Sequence, residues 1–237
     1  MKIAVLSDIH GNMEALTAVL SDMITKDIEK VFICGDLAMA GPEPAQTVDF
    51  IRNFDFTIIQ GNTDEMIVKD IIPPNEIMAN ALKYSQEVLS EEQKEFLASL
   101  PFSHTEEIEG LSLLFVHGSP RRNNEDIMPS QNEDKIAEII SGAKEDIIFC
   151  GHTHLPCGYQ IKKQTVVNVG SVGRPFSEVP EACYVTVNIN KDEAEILHHF
   201  VPYDVGTAAQ KLRNTGFWGA DVLADMLISA ISRYPQS

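Results

Sequence analysis

The chain has 237 residues, 44% of them hydrophobic, with 35 acidic against 18 basic side chains and a formal charge of −17. That is ample apolar material for one large packed domain, and too much negative charge for extended contact with nucleic acid or an anionic membrane, which requires clustered Lys and Arg. No apolar run approaches the ~18 residues of a membrane span; a small anionic substrate stays open if cations gather locally.

In chain order, Lys2 to Leu6 reads as a strand, Ser7-Asp8-Ile9-His10-Gly11-Asn12 as a loop and Met13 to Lys26 as a helix, with Leu16, Val19, Leu20, Met23 and Ile24 at helical spacing. The first residues look like a signal segment only until Asp8 and His10 interrupt them, so a cytoplasmic location is expected. The strand-loop-helix unit recurs at Val31 to Cys34, followed by Gly35-Asp36 and a loop through Pro42 and Pro44 into a helix ending near Asn53. Phe56 to Gln60 is a third strand and runs into Gly61-Asn62-Thr63-Asp64. This alternation predicts an α/β fold with a largely parallel first sheet.

The stretch of about 64–100 differs. Leu82, Leu89, Phe96, Leu97 and Leu100 predict a helical insert that packs on the sheet or shields the site, with an N-cap at Ser90-Glu91-Glu92-Gln93 and a stop at Pro101. Phe102 to Glu107 and Leu111 to Val116, joined through Glu109-Gly110, predict a hairpin that leads into His117-Gly118-Ser119-Pro120-Arg121-Arg122. A helix is predicted over Asp134 to Ile140 and a buried strand over Asp146 to Cys150, ending at Gly151-His152-Thr153-His154. Tyr159 to Lys162, Thr165 to Val169, Cys183 to Ile189 and Ala194 to Phe200 predict antiparallel strands of a second sheet. Helices follow over about 204–234. With no linker and no repeat of 20–50 residues, residues 1–237 are expected to form one α/β domain of two stacked mixed β-sheets flanked by helices.

Cys34, Cys150, Cys157 and Cys183 have no CxxC spacing and read as reduced structural residues, a Cys150–Cys157 disulfide being the alternative. His104, His198 and His199 lie in strand-like stretches without partner spacing and are assigned to structure. Phe217 and Trp218 are read as core or interface anchors rather than a nucleobase platform.

Five apolar runs end in metal-ligand types: Asp8 and His10, Asp36, Asn62, His117, and His152 with His154. Ligands of α/β sheets bind outside the carboxyl ends of the strands, so these loops should meet. Imidazole, carboxylate and amide without thiolate suits Mn²⁺, Fe, Zn²⁺, Ni²⁺ or Co²⁺, and one bridging carboxylate would let two cations sit about 3.5–4 Å apart. Singly, each residue has an ordinary explanation. Asp8 could cap the next helix, Asp36 could be a turn residue, Asn62 a left-handed turn residue and His117 a strand-end histidine. Recurrence at five strand ends is poorly explained by independent caps and turns.

Asp8-Ile9-His10, Gly35-Asp36, Gly61-Asn62, His117 and Gly151-His152-Thr153-His154, in that order, resemble the calcineurin-like metallophosphoesterase superfamily. The likeness extends to Leu37-Ala38-Met39-Ala40-Gly41-Pro42, His117-Gly118-Ser119-Pro120-Arg121 and Asn168-Val169-Gly170-Ser171-Val172-Gly173, as in small prokaryotic phosphodiesterase-like members. The resemblance implies an αββα sandwich and two divalent metal ions, Mn²⁺ favoured. It places Asp8, His10 and His154 on the first ion, Asn62, His117 and His152 on the second, and Asp36 between them. Asp8, Asp36, Asn62 and His117 are the implied catalytic set, and water activated by the metals attacks phosphorus directly. Arg121 and Arg174 are the expected substrate contacts, since arginine matches phosphate oxygens bidentately.

One position departs from the pattern. Where members often carry Gly-Asn-His with a proton-donating imidazole, this chain has Thr63. That absence favours leaving groups that depart unprotonated, and makes phosphodiesterase activity on a small phosphorylated substrate, nucleotides included, the leading expectation. Phosphomonoesterase and dinucleoside polyphosphate hydrolase activities are alternatives within the class; a non-catalytic protein-binding scaffold is the alternative outside it.

Overall fold

A computed structural model describes residues 1–191 and 193–231. Strand β1 (Lys2–Leu6) leads to helix α1 (Met13–Met23), followed by one short 3₁₀ turn, Ile24–Lys26. The cap of α1 is Asn12, whose side chain accepts the Ala15 amide, so Asp8 is freed from that role. Next come β2 (Lys30–Ile33), α2 (Pro44–Ile51), β3 (Thr57–Ile58) and α3 (Asn62–Lys69). Pro44 opens α2 at a position where a missing N–H costs nothing. Asn62 is the first residue of α3 and not a left-handed turn residue.

The helical insert is α3 followed by α4 (Glu76–Val88) and α5 (Glu91–Ser99), the last begun by a reciprocal capping box between Ser90 and Gln93. Then follow β4 (Ser103–Ile108), β5 (Leu111–Val116), α6 (Glu133–Ile139), β6 (Ile147–Cys150), β7 (Cys157–Ile161), β8 (Gln164–Asn168), β9 (Glu181–Asn190), β10 (Glu193–Pro202), α7 (Val205–Asn214) and α8 (Ala220–Ser229). Helical pattern was expected to about 234; residues 232–234 lie outside the described residues.

The strands form two mixed five-stranded sheets, ordered β10-β9-β1-β2-β3 and β4-β5-β6-β8-β7. In the first, β1, β2 and β3 are parallel, while β9 runs antiparallel to β1 and β10 antiparallel to β9. In the second, β5, β6 and β8 are parallel, with β4 and β7 antiparallel at the edges. This corrects the expectation that the last four strands pair together. The β7–β8 hairpin extends the sheet that holds β5 and β6, whereas β9 and β10 return to β1.

Side-chain alternation makes the two sheets stack. Ile3, Val5 and Phe32 of the first sheet meet Leu113, Phe115, Ile147 and Phe149 of the second in one apolar layer. Phe32 and Phe115 stack there with centroids 4.0 Å apart. The opposite residues, Ala4, Leu6 and Ile33, pack under α1, α2, α7 and α8, and Leu114, Val116, Ile148 and Cys150 pack under α6. The result is the expected helix-sheet-sheet-helix layering. Cys34, Cys150, Cys157 and Cys183 are all free thiols, and no helix among the described residues is long and apolar enough to cross a membrane. His198 and His199 bond to Asn168 and Thr186, and His104 faces Glu106.

Candidate metal centre

All parallel strands except β8 deliver an expected ligand at their carboxyl ends, and the stacked sheets bring those ends together. β1 supplies Asp8 and His10, β2 Asp36, β3 Asn62, β5 His117 and β6 His152 and His154. The turns are tight: Asp8, His10, Asp36, His152 and His154 all have left-handed backbones, with φ of 56°, 49°, 56°, 68° and 60°. Asp and His tolerate that region better than most side chains, but each still costs of order 1 kcal/mol or more. Strain concentrated at one edge of the sheets marks a place where side-chain direction matters more than backbone comfort.

Two groups of ligand atoms converge. Asp8, His10 and His154 form one, Asp8, Asp36 and His117 the other, the atoms in each lying within 4.8 Å of one another, and all these residues are buried. Asp8 belongs to both groups. Asn62 joins the second, its Oδ1 lying 2.8 Å from His117 Nε2. His152 stands outside both groups, more exposed, with its ring edge-on to His117 at 5.2 Å between centroids.

Three of the imidazoles are fixed by main-chain carbonyls. Nδ1 of His10 donates to Met39 O, Nδ1 of His117 to Cys34 O, and Nδ1 of His154 to Arg174 O. With that nitrogen committed, Nε2 is left to face the centre. His10 Nε2 and His154 Nε2 are 3.1 Å apart, and Asp8 Oδ1, 3.2 Å from His154 Nε2, is buried without a hydrogen-bond partner. Two imidazole lone pairs and an orphaned carboxylate oxygen pointing at one spot repel one another unless a cation lies between them. The donor set therefore fits a divalent ion.

Charge points the same way. Burial, reinforced by His154, holds His10 down at about 3, which keeps its lone pair available at neutral pH. His117 behaves oppositely: burial pulls it down, but the charge and hydrogen bond of Asp36 push it up to about 10. Its Nε2 lies 2.8 Å from Asn62 Oδ1 and 3.4 Å from Asp36 Oδ1. Asp36 is held well below the usual carboxylate range, chiefly by His117, against the effect of burial.

Two glycines and one carboxylate keep Asp8 and Asp36 in place. A Cβ on Gly61 would lie 2.1 Å from Asp36 Oδ1, and one on Gly151 2.4 Å from Asp8 Oδ2. Asp64, at the third position of α3, accepts the amides of Asp36, Leu37 and Gly61. Burial and the Asp36 charge push its carboxyl up to about 7. Ser171 Oγ donates to Asp8 O, and Asn168 donates to Gly151 O and Thr153 Oγ1. No bracing role was assigned to these three residues from sequence, although an acidic third helical position is the capping-box signature that marks Asp64.

The cavity over these ligands is small, about 170 Å³, and is lined by His10, Asp36, Asn62, Thr63, His152, His154 and Arg174, with Met78, Phe176 and Met226 as its apolar side. Met78 comes from the insert and Met226 from α8, so both helical regions reach the site. Arg174 is buried, its guanidinium 5.8 Å from the Phe176 ring. Arg121 does not line the cavity: its guanidinium makes a two-point contact with Glu125 and reaches Glu138. Of the two expected substrate arginines, the fold brings only Arg174 to the ligands.

The sequence profile of the calcineurin-like phosphoesterase superfamily domain matches residues 1–192. An uncharacterised protein of Methanocaldococcus jannaschii is 30% identical over 227 residues, 89% of this chain and 91% of that protein. Among solved structures, a hypothetical protein from Pyrococcus horikoshii OT3 superposes with a TM-score of 0.86 at 23% identity, over 95% of this chain and 97% of the other. A metallophosphoesterase from Sphaerobacter thermophilus does so with a TM-score of 0.78 at 23% identity, over 98% and 99%. At that identity the two structures speak to the fold.

Proposed function

The chain belongs to the calcineurin-like phosphoesterase superfamily and is a metal-dependent phosphoric ester hydrolase; we propose that it is a phosphodiesterase acting on a small phosphorylated substrate, nucleotides included, with two Mn²⁺ ions, in the cytoplasm. In this reading residues 1–237 act as one domain. Asp8, His10 and His154 would hold the first ion, Asn62, His117 and His152 would hold the second, and Asp36 would be shared by both. The observation that carries the reading is the convergence of imidazole lone pairs and an unpartnered buried carboxylate oxygen at Asp8, His10 and His154.

When bound, two divalent cations acidify a water and neutralise phosphoryl oxygens. The chain's own residues do the rest. Their ring nitrogens are oriented by the carbonyls of Met39, Cys34 and Arg174, so little reorganisation accompanies the reaction. Arg174 supplies fixed positive charge for a phosphate oxygen at the cavity edge. Thr63 occupies the position from which an imidazolium would protonate the departing oxygen, and cannot do so. The site therefore favours esters whose leaving group needs no proton, which is the basis for preferring activated diesters over alkyl monoesters.

The test is hydrolysis of a chromogenic phosphodiester with added Mn²⁺ by the wild-type protein and by Asp36→Asn. Loss of activity in the variant with its fold intact is expected; equal rates would remove Asp36 from the chemistry and the reading with it.

A further inference from the structure

Four imidazoles approach the cavity, and three are aimed alike. His10, His117 and His154 each commit Nδ1 to a main-chain carbonyl and present Nε2. His152 is placed differently: among the described residues no main-chain carbonyl bonds its ring, and its Nε2 lies 3.3 Å from a carboxylate oxygen of Asp126, within ion-pair distance. We propose that Asp126 is a positioning residue of the metal centre, holding the Nε2–H of His152 so that Nδ1 faces the second cation. The proposal rests on the phosphoesterase reading above.

The surroundings of His152 explain why it needs such a partner. Its side chain retains 16% exposure, against 2% for His10, 0% for His117 and 6% for His154. A ring less enclosed by packing has more rotamers to lose. Its backbone is pinned, with a left-handed φ of 68° and its N–H on Asp8 Oδ2 at 2.9 Å, so the remaining freedom lies in the side chain. A carboxylate on the far nitrogen removes that freedom, selects the tautomer and makes the near nitrogen a better donor.

Asp126 is itself rigidly based. Its neighbour Glu125 grips Ser119 and Arg121. On the other side Ile127 is 1% exposed and its carbonyl accepts Asn168 Nδ2, which also bonds Gly151 O in the loop that carries His152. Arg121 thereby anchors the segment that presents Asp126, through its contacts with Glu125 and Glu138.

The experiment uses metal-stripped full-length protein and Mn²⁺ alone, read by calorimetry and by electron paramagnetic resonance of free Mn²⁺. The wild type is expected to bind two equivalents. In Asp126→Ala the first site should fill as in the wild type and the second should weaken by roughly 10- to 100-fold; Asp126→Glu should recover part of that loss. Two unchanged sites in Asp126→Ala would overturn the proposal alone, leaving the phosphoesterase reading standing. Equal weakening of both sites together with a lower melting temperature would overturn it in favour of a merely structural role. A wild type that binds no Mn²⁺ would overturn both.

Discussion

His10 Nε2 and His154 Nε2 face each other at 3.1 Å while each ring gives its other nitrogen to a main-chain carbonyl. That arrangement is uphill for the chain alone, because the two lone pairs and the unpartnered Asp8 oxygen repel. A cation converts the repulsion into binding. Divalent metal should therefore stabilise the fold: at a hundredfold excess over the dissociation constant a single site adds about 2.7 kcal/mol, or roughly 5–10 °C in a domain of this size. Thermal melts with Mn²⁺ and with chelator measure the difference, and identical melting temperatures would contradict the convergence as a metal site.

Binding at the second group should release a proton. His117 is held protonated by Asp36, with a pKa pushed up to about 10 despite burial, and a cation must displace the Nε2 proton. Apparent affinity at that group should rise about tenfold per pH unit while His117 stays protonated, and level off above about 10. The metal-free protein should show the linked trend in stability. The folded pKa exceeds the unfolded value of about 6.5, so this stabilisation is complete below 6.5 and is lost as pH rises through about 10. Calorimetry in buffers of different ionisation enthalpy counts the proton; a buffer-independent heat would exclude it.

The candidate ligands were legible because each follows an apolar strand with a glycine or a tight turn beside it, and parallel strands open their carboxyl ends to one edge. Pairing of the late strands was not. An alternating run such as Cys183 to Ile189 records that one face is buried, and says nothing of which neighbour it bonds. Its partner is decided by Val185 and Val187, which share the inter-sheet layer with Ile3 and Val5. Arg121 lies away from the cavity for a readable reason: Glu125 lies four residues on and takes the guanidinium. Asp126, Phe176 and Met226 reach the site from irregular or distant segments, where no local pattern announces them.

Close approach around Asp36 makes Gly61 irreplaceable. Its added Cβ would stand 2.1 Å from Asp36 Oδ1 and 2.3 Å from Asp36 N, and Asp36 cannot yield while Thr63 N and Asp64 hold it. Gly61→Ala should displace the carboxylate, weaken Mn²⁺ binding more than tenfold and cost about 1–3 kcal/mol of stability. Metal content and melting temperature of the purified variant test this, and a variant that holds two ions normally would count against the proposed place of Asp36 between them.

Met78, Phe176 and Met226 give the cavity an apolar side next to the ligands, Phe176 stacking on the His154 ring at 4.5 Å between centroids, which suits an aryl or base substituent better than a second charged phosphate. Met226 is 2% exposed and supports the core, so Met78 is the position to change. Met78→Gln should raise KM for an aryl diester about fivefold, equivalent to roughly 1 kcal/mol of lost apolar contact, with kcat nearly constant. The KM for a methyl diester should not move. An equal rise for both esters would remove the apolar side from recognition.

The leaving group supplies the last test. Thr63 is buried at the cavity wall with its hydroxyl unpartnered, and a hydroxyl cannot protonate a departing alkoxide at neutral pH. A positioned general acid is worth roughly 10²- to 10⁴-fold, a benefit that falls most heavily on poor leaving groups and hardly touches good ones. Rates across a series of aryl and alkyl diesters should therefore fall steeply as the leaving-group pKa rises. Thr63→His should flatten that slope, raising alkyl-ester rates tenfold or more while nitrophenyl esters gain little. A shallow slope in the wild-type protein would mean that another side chain already donates the proton, and Arg174, as an arginine that stays charged, would not be that donor.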